Sequence, residues 1–284
     1  MSSMPNYSIR TATPQEFAQA VEWAAQEGWN PGLKDNEVFN SVDPDGFLMG
    51  FLDEQPVASI SAVRWGKDFA FIGLYIVKSG YRGRGFGFRL WKAAMERLEG
   101  MCVGLDGVVA QQDNYAKSGF VLAHRGLRFA GKASQLQGDS GEANTSHPVW
   151  PALVELDGAC SPASRTAYLR AWVDYPGGLQ ATLQSQGEVR GWGLARPCRH
   201  GYKIAPLLAA DEATARQILA GLTQQLEADT PVFLDVPEPN RGALHLCQEL
   251  GLEVQFEVAR MYTRDCPHPP DLNRLFGVMS YELG

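Results

Sequence analysis

The chain has 284 residues, of which 45% are hydrophobic and 20% charged, and its formal net charge at pH 7 is −7. This hydrophobic content can bury a large core, and the length suits two domains better than one. The acidic balance argues against a nucleic-acid partner and fits a protein that attracts cations.

The cysteines and histidines give no sign of a metal site or a disulfide framework. The five cysteines include no C-x-x-C pair, and the five histidines do not lie near them at zinc-ligand spacing. The amino terminus lacks a basic region followed by an apolar run, and no apolar stretch approaches membrane-spanning length. We therefore expect a cytoplasmic protein with no metal and no membrane partner.

The beginning of the chain predicts a strand, one or two helices and a hairpin. Thr13 is expected to cap the first helix, and Glu16 to reach back to the helix start. The other predicted elements are a strand at residues 7–10, a short helix within 33–40, and hairpin strands at 47–52 and 57–65.

A glycine-rich turn follows the nearly all-apolar run Phe69–Val77, which is typical of a central strand. Gly83, Gly85 and Gly87 let the backbone bend tightly, so that its N–H groups and those of the next helix can hold an anion. The turn matches neither the Rossmann fingerprint nor a Walker loop, because the third glycine of the first and the Gly-Lys-Ser/Thr ending of the second are missing.

The remaining pattern, R-x-x-G-x-G at residues 82–87, resembles the acetyl-coenzyme A loop of the GNAT superfamily of N-acetyltransferases. In that family the signature lies between the fourth strand and the third helix. A second resemblance is Y-x-K-x-G-F at residues 115–120, which is similar to the element that closes the fourth helix and opens the sixth strand. Two motifs in the family's order are more specific than either alone.

The second half repeats this order in weaker form. Strands are expected at 179–183, 189–197, 202–208 and 232–236, and helices starting near Ser161, Asp211 and Asn240. The polar stretch 131–148 has linker composition, so we predict domains at 1–130 and 149–284. The predicted class is α/β with a mixed sheet: two tandem GNAT-like domains, each a mostly antiparallel twisted sheet flanked by helices.

The second half lacks the glycine turn. Its corresponding sequence is A-A-D-E-A at residues 209–213, and two carboxylates at a helix start repel a pyrophosphate. We therefore expect acetyl-coenzyme A to bind only to the first half. The second half is expected to serve packing and the substrate pocket.

The resemblance also implies which residues bind acetyl-coenzyme A. The end of the apolar strand would pair with the pantetheine arm through its backbone, and the turn would receive the pyrophosphate with help from its arginines. The residues expected at the cosubstrate are Leu74, Tyr75, Ile76, Val77, Arg82, Gly83, Arg84, Gly85, Phe86, Gly87, Phe88 and Asn114.

Tyr115 matches the tyrosine that protonates the departing thiolate in many relatives, and a phenol is protonated at neutral pH. A plain core tyrosine is the alternative. The strand Phe69–Val77 contains no carboxylate, so Asp106 on the partner strand is the candidate general base. A turn-stabilising aspartate, ordered water or a partly neutral amine are the alternatives. Glu27 and Trp29 are candidates for the amine pocket.

The leading hypothesis is an acetyl-coenzyme A-dependent N-acetyltransferase acting on a primary amine of a small molecule or short peptide. The alternatives are a protein lysine or N-terminal acetyltransferase and a non-catalytic coenzyme A sensor or scaffold. The sequence leaves open the acceptor, the oligomeric state, and whether residues 275–283 pair with the second sheet or cross to the first.

Overall fold

A computed structural model describes residues 6–284, apart from the side chain of Ser185. Within this range the helices are α1 Pro14–Gln26, α2 Asp35–Phe39, α3 Phe86–Arg97, α4 Gln112–Ala116, α5 Ala133–Leu136, α6 Trp150–Ala159, α7 Thr166–Val173, α8 Glu212–Thr223 and α9 Arg241–Glu249. The strands are β1 Tyr7–Thr11, β2 Phe47–Leu52, β3 Gln55–Trp65, β4 Phe69–Val77, β5 Cys102–Val108, β6 Val121–Lys132, β7 Leu179–Ser185, β8 Glu188–Pro197, β9 Tyr202–Ala209, β10 Pro231–Pro237, β11 Glu253–Tyr262 and β12 Leu275–Gly277.

These strands form one continuous sheet in the order β1-β2-β3-β4-β5-β11-β6-β10-β9-β8-β7, with β12 paired to β9. The pairs β4–β5 and β9–β10 are parallel, whereas the other pairs are antiparallel. A parallel pair needs a crossover connection, which α3 supplies in the first half and α8 in the second. Both halves therefore contain the same strand–helix–strand unit.

The centre of the sheet is built by an exchange of strands between the halves. β11 of the second half lies between β5 and β6 of the first, and β6 lies between β11 and β10. The β6–β11 ladder runs from Val121 paired with Tyr262 to Ala130 paired with Glu253. Neither half has its complete sheet without a strand from the other half.

The mixed α/β class with flanking helices is confirmed. Among residues 6–284 all five cysteines are free, and no helix is both long enough and apolar enough to cross a bilayer. The predicted domain boundaries stay a prediction, because the sheet continues across them. The segment 131–148 contains the end of β6 and α5, and Asn144 forms a bridge with Thr182.

Most individual elements lie where the sequence predicted them, including the α1 start. There Thr13 Oγ1 accepts a hydrogen bond from the Glu16 backbone N–H, and the Glu16 carboxylate accepts one from the Thr13 N–H. The helix expected near Ser161 begins instead at Thr166, and α6 was not predicted. Helix α6 is apolar on most sides, so it lacks the one-sided periodicity that marks a surface helix.

The last residues, 278–284, cross the sheet from the second half to the first, and we call them the carboxyl-terminal strap. The strap begins where the Val278 N–H donates to the carbonyl of Asp235 in β10, at 2.8 Å. It ends beside β3, where the Trp65 indole N–H donates to the Leu283 carbonyl at 3.0 Å. Residues 275–277 therefore pair with β9 of the second half, and the following residues cross to the first half. Both possibilities that the sequence left open are realised.

Gly73 of β4 allows the strap to lie directly on the strand. A Cβ atom on Gly73 would overlap the carbonyl oxygen of Glu282, which is main chain and has little freedom to move. The Ser61 hydroxyl donates to the same carbonyl at 3.3 Å. The strap can thus lie on β4 because residue 73 is a glycine and has no side chain.

We expect Gly73→Ala to lower the free energy of unfolding by about 1–3 kcal/mol, the usual range for overpacking a filled interior. Chemical denaturation followed by tryptophan fluorescence measures the change. Gly80→Ala is the matched control, since a Cβ atom there meets no heavy atom within 4 Å among the described residues. Equal stabilities of the two variants would show that the strap does not pack on β4 as described.

Candidate active site

A slot opens where β4 and β5 separate. Their parallel ladder ends at the pair Ile72–Leu105, although both strands continue beyond it. The slot leads into a cavity of about 490 Å³. The β4 backbone beyond Ile72 therefore has one edge free of strand partners, which can accept an extended ligand.

A β-bulge causes the separation. Leu74 and Tyr75 of β4 together face the single residue Ile60 of β3, and Leu74 has a positive φ of 46°. The Ser59 hydroxyl stabilises this conformation by donating to the Leu74 carbonyl at 2.9 Å. Since a bulge bends its strand, β4 turns away from β5 at this point.

The glycine turn adopts the conformation that its sequence predicts. Gly83 and Gly85 have φ of 73° and 81°, and Gly85 is the N-cap of α3. No acidic side chain lies in the first turn of α3, and a Cβ atom on either glycine would meet no described atom within 4 Å. The free N–H groups of the helix start therefore face open space, as an anion site requires.

Gly87 has a different task from the other two glycines. It is buried, and a Cβ atom there would lie 2.8 Å from both the Tyr75 hydroxyl and Val77 Cγ2. Its small size lets α3 pack closely against the end of β4. The third glycine of the motif thus fixes the position of the helix.

The predicted cosubstrate residues fall into two groups. Those that line the cavity are Leu74, Tyr75, Ile76, Val77, Arg82 and Gly83. Those outside the cavity wall are Arg84, Gly85, Phe86, Gly87, Phe88 and Asn114. The second group lies on the loop, α3 and α4, and Phe88 is 64% exposed.

The polar side chains of this region already have partners. Arg82 donates to the Val77 carbonyl at 2.8 Å and also pairs with Glu27, so it ties the turn to β4 and to the end of α1. Arg84 is exposed and stacks over Phe86, 5.0 Å from the ring centroid. Asn114 donates to Gln111 at 2.7 Å. Arg84 therefore adds positive charge beside the turn, whereas Glu27 offsets the charge of Arg82.

The equivalent helix start in the second half is occupied by its own side chains. Asp211 caps α8 by accepting a hydrogen bond from the Thr214 N–H at 2.8 Å, and it also pairs with Arg190. Glu212 is the first residue of the helix. A carboxylate thus fills the place where the first half has open N–H groups, which supports the expectation that only the first half binds the cosubstrate.

Tyr115 of α4 lines the same cavity as the end of β4. Its ring packs against Trp91 and lies so close to β5 that a Cβ atom on Gly107 would overlap it. Burial raises the pKa of Tyr115 to about 12, and the nearby Tyr75 contributes to the shift. The phenol therefore keeps its proton at neutral pH and can donate a hydrogen bond to a developing thiolate.

Asp106 lies within β5 rather than in a turn, and its carboxylate is fully engaged. Both of its oxygens accept hydrogen bonds from Arg260 of β11, at 2.6 Å each, and its side chain is 1% exposed. The pair crosses the ladder that joins the two halves. At this position Asp106 neutralises the buried Arg260.

The second half contributes to the cavity wall through residues that the sequence analysis did not single out. Its contributions to the cavity wall are Phe256, Val258, Tyr281 and Glu282. Glu27 and Trp29, which were expected near the amine, also line the cavity. One sequence signal existed: Tyr281 and Glu282 interrupt a final run that is otherwise mostly apolar, and a buried charge commonly marks a functional site.

Arg128 of β6 also lines the cavity and connects three parts of the structure. It makes two hydrogen bonds to Asp235 of β10, at 2.6 and 2.8 Å, and a third to the carbonyl of Trp29, at 2.8 Å. The pKa of Arg128 is raised because Asp235 more than offsets the effect of burial. The arginine therefore anchors the loop after α1 to the central sheet.

Glu212, His245 and Glu249 form a cluster away from the cavity, with ligand-type atoms within 4.8 Å of one another. The cluster lies on α8 and α9, and His245 and Glu249 are exposed. Arg216 pairs with both glutamates. A surface ion-pair network accounts for these side chains.

Two family models match the chain. The "Acetyltransferase (GNAT) family" model matches residues 9–120, and the "Acetyltransferase (GNAT) domain" model matches residues 153–277. The chain is also 30% identical to the holothin acyltransferase of Pseudoalteromonas sp. (strain SANK 73390), and the match covers 100% of the chain and 97% of that enzyme.

Solved structures show the same architecture. A putative acetyltransferase from Pyrococcus horikoshii superposes with a TM-score of 0.80 at 25% identity, and the match covers 98% of this chain and 96% of that one. A tandem GNAT protein from the clavulanic acid biosynthesis pathway has a TM-score of 0.62 at 14% identity, with 90% and 98% coverage. The second similarity concerns the fold alone.

Removing the carboxylate of Asp106 should leave Arg260 buried and uncompensated. We expect Asp106→Ala to lower the free energy of unfolding by about 3–5 kcal/mol, the usual effect of breaking a buried pair. Asp229→Ala removes the carboxylate of an exposed pair with Lys132 and should leave the denaturation midpoint unchanged. If both variants unfold like the wild type, the Asp106–Arg260 pair is not structural.

Proposed function

The chain belongs to the GNAT acetyltransferase family and is an acyltransferase, and from this premise we propose that it transfers an acetyl group from acetyl-coenzyme A to a primary amine of a small molecule. The observation that carries the proposal is the free edge of β4, which joins the open glycine turn to a cavity that contains Tyr115. A cosubstrate bound along that edge has its pyrophosphate at the turn and its thioester in the cavity.

The backbone would do most of the cosubstrate binding. The N–H groups of residues 83–88 are placed to hold the pyrophosphate, and the free edge at residues 74–77 is placed to pair with the pantetheine arm. The guanidinium group of Arg84 contributes positive charge nearby, and Arg82, paired with Glu27, ties the turn to β4. This arrangement keeps the adenine end near the surface and directs the thioester into the protein.

The reaction is attack of a neutral amine on the thioester carbon. The carbon–nitrogen bond forms, the carbon–sulfur bond breaks, and the departing thiolate takes a proton. Tyr115 is the proton donor in this proposal, because it lines the cavity and is protonated at neutral pH. The proton that the nitrogen loses as the amide forms restores the phenol.

The acceptor would bind in the part of the cavity that the second half completes. Trp29, Phe256 and Tyr281 give this part aromatic walls, which suit a small molecule with an apolar body. The similarity to holothin acyltransferase extends over the whole chain, so that enzyme's named acceptor, holothin, is the first compound to test. The cavity volume of about 490 Å³ fits one small molecule beside the thioester.

We expect thiol release from acetyl-coenzyme A with holothin or another compound of a panel of primary amines. Tyr115→Phe should lower kcat at least about 10²-fold, which is the usual contribution of a proton donor, and leave the affinity for acetyl-coenzyme A unchanged. Thiol release is followed with a chromogenic disulfide. Tyr202→Phe removes a hydroxyl from β9 and should retain full activity.

Other outcomes separate the competing functions. Equal kcat for Tyr115→Phe and the wild type would remove Tyr115 from the mechanism. Labelling of proteins in a proteome incubated with labelled acetyl-coenzyme A, without transfer to small amines, would favour a protein acetyltransferase. Tight binding of acetyl-coenzyme A with no transfer to any amine would favour a sensor.

A charge at the glycine turn tests the cosubstrate site itself. We expect Gly85→Glu to weaken acetyl-coenzyme A binding at least tenfold in calorimetry, because a carboxylate about 4 Å from a phosphate is repelled by about 1–4 kcal/mol. Gly100→Glu is the matched control: both glycines have φ above 80° and open space around them, but Gly100 lies after the other end of α3. Equal affinities of the two variants would place the pyrophosphate elsewhere.

A further inference from the structure

The carboxyl-terminal strap carries the one buried acid of the described chain that has no ion-pair partner. Four acidic side chains are exposed by 3% or less, and each of them pairs with an arginine. They are those of Asp35, Asp106, Asp157 and Asp235. Glu282 is 4% exposed, and no cation among the described residues lies within 4.0 Å of its carboxylate. Its Oε2 atom has no hydrogen-bond partner.

The backbone of Glu282 is fixed at the entrance of the slot. Its carbonyl rests on Gly73, the β4 residue that follows the last β4–β5 pair, and accepts a hydrogen bond from Ser61. Glu282 is one of the residues that line the cavity, together with Tyr115 and the β4 edge. The residue with the unpaired carboxylate therefore belongs to the same cavity wall as the proposed proton donor and the strand that is expected to hold the thioester.

The neighbouring charges leave Glu282 available to a ligand. Arg128 and Arg196 interact with the Glu282 carboxylate electrostatically at a distance, but each already forms an ion pair with an aspartate. Lys203 is 1% exposed and also interacts with Glu282 through space without forming an ion pair. None of these cations occupies a hydrogen-bond site of the Glu282 carboxylate.

Tyr281 adds a second unused polar group to the same wall. Its hydroxyl is buried, has no hydrogen-bond partner among the described residues, and lies close to Gly126 of β6. Burial raises the pKa of Tyr281 well above its usual value, so the group is a neutral donor and acceptor. Unsatisfied buried polar groups are rare because each is costly, and two adjacent ones that line a cavity indicate a ligand site.

We propose that Glu282 binds the ammonium group of the acceptor and removes its proton, so that the last residues of the second half supply the general base of the first. This inference rests on the proposed function. It provides the carboxylate that β4 lacks, and it leaves Asp106 to its pair with Arg260. Glu282 replaces Asp106 as the candidate base.

The proton balance of the step is complete. The acceptor ammonium transfers one proton to Glu282, which passes it to solvent, and the neutral nitrogen bonds to the thioester carbon. The carbon–sulfur bond breaks and Tyr115 protonates the thiolate. The nitrogen loses a second proton as the amide forms, and this proton restores the phenol. One ammonium and one thioester yield one amide, one thiol and one released proton.

The test compares two acceptors in Glu282→Gln, which keeps the shape of the side chain and removes its charge. A primary alkylamine with a pKa near that of lysine is neutral in fewer than about one molecule in 10³ at pH 7, so it needs a base. Its kcat/KM should fall at least about 10²-fold and recover as the pH is raised. Hydroxylamine is neutral at pH 7, and its kcat/KM should change less than about threefold.

Three measurements keep a folding defect apart from the catalytic effect. Acetyl-coenzyme A affinity should match the wild type. The melting temperature should be no lower than that of the wild type, because removing an unpaired buried charge relieves a desolvation penalty. Glu257→Gln is the matched control: it removes a carboxylate that is 44% exposed on β11 and should leave both acceptors unaffected.

The outcomes separate the two proposals. If the wild type transfers acetyl groups and Glu282→Gln is equally active, or loses the same factor with both acceptors, the role of Glu282 is overturned while the proposed function stands. If the wild type transfers to no amine, both are overturned. Selective loss with the alkylamine supports both.

Discussion

The structure depends on the exchange of β6 and β11 between its halves. Each strand is hydrogen-bonded on one side to the other and on its second side to the opposite half, so neither half can close its sheet alone. The hydrogen-bonding edges of both strands are thus satisfied inside one sheet. Because β11 lies beside β5, its own residues Phe256 and Val258 reach the wall of the cavity.

The two exchanged strands carry two of the buried ion pairs of the interior. Arg128 and Arg260 stand on the two exchanged strands, and each is neutralised by an aspartate on a neighbouring strand, Asp235 and Asp106 respectively. Such pairs add little net stability but strongly disfavour arrangements that separate them. They therefore fix the relative position of the halves, and the cavity between them keeps a defined shape.

The two halves share an architecture but differ in chemistry at the starts of α3 and α8. In the first half the glycine turn leaves the helix N–H groups free, whereas in the second Asp211 satisfies them. The two helix starts therefore differ in whether their backbone donors are free. The second half contributes Phe256, Val258, Tyr281 and Glu282 to the wall of the same cavity.

The sequence alone determined most local elements and the conformation of the glycine turn, because these depend on short-range rules: alternating glycines, helix caps and apolar periodicity. The contrast at residues 209–213 was readable for the same reason. The strand exchange and the position of Glu282 were decided only by the tertiary structure. They depend on contacts between residues far apart in the chain, such as Gly73 with Glu282, and no local pattern encodes which strand pairs with which.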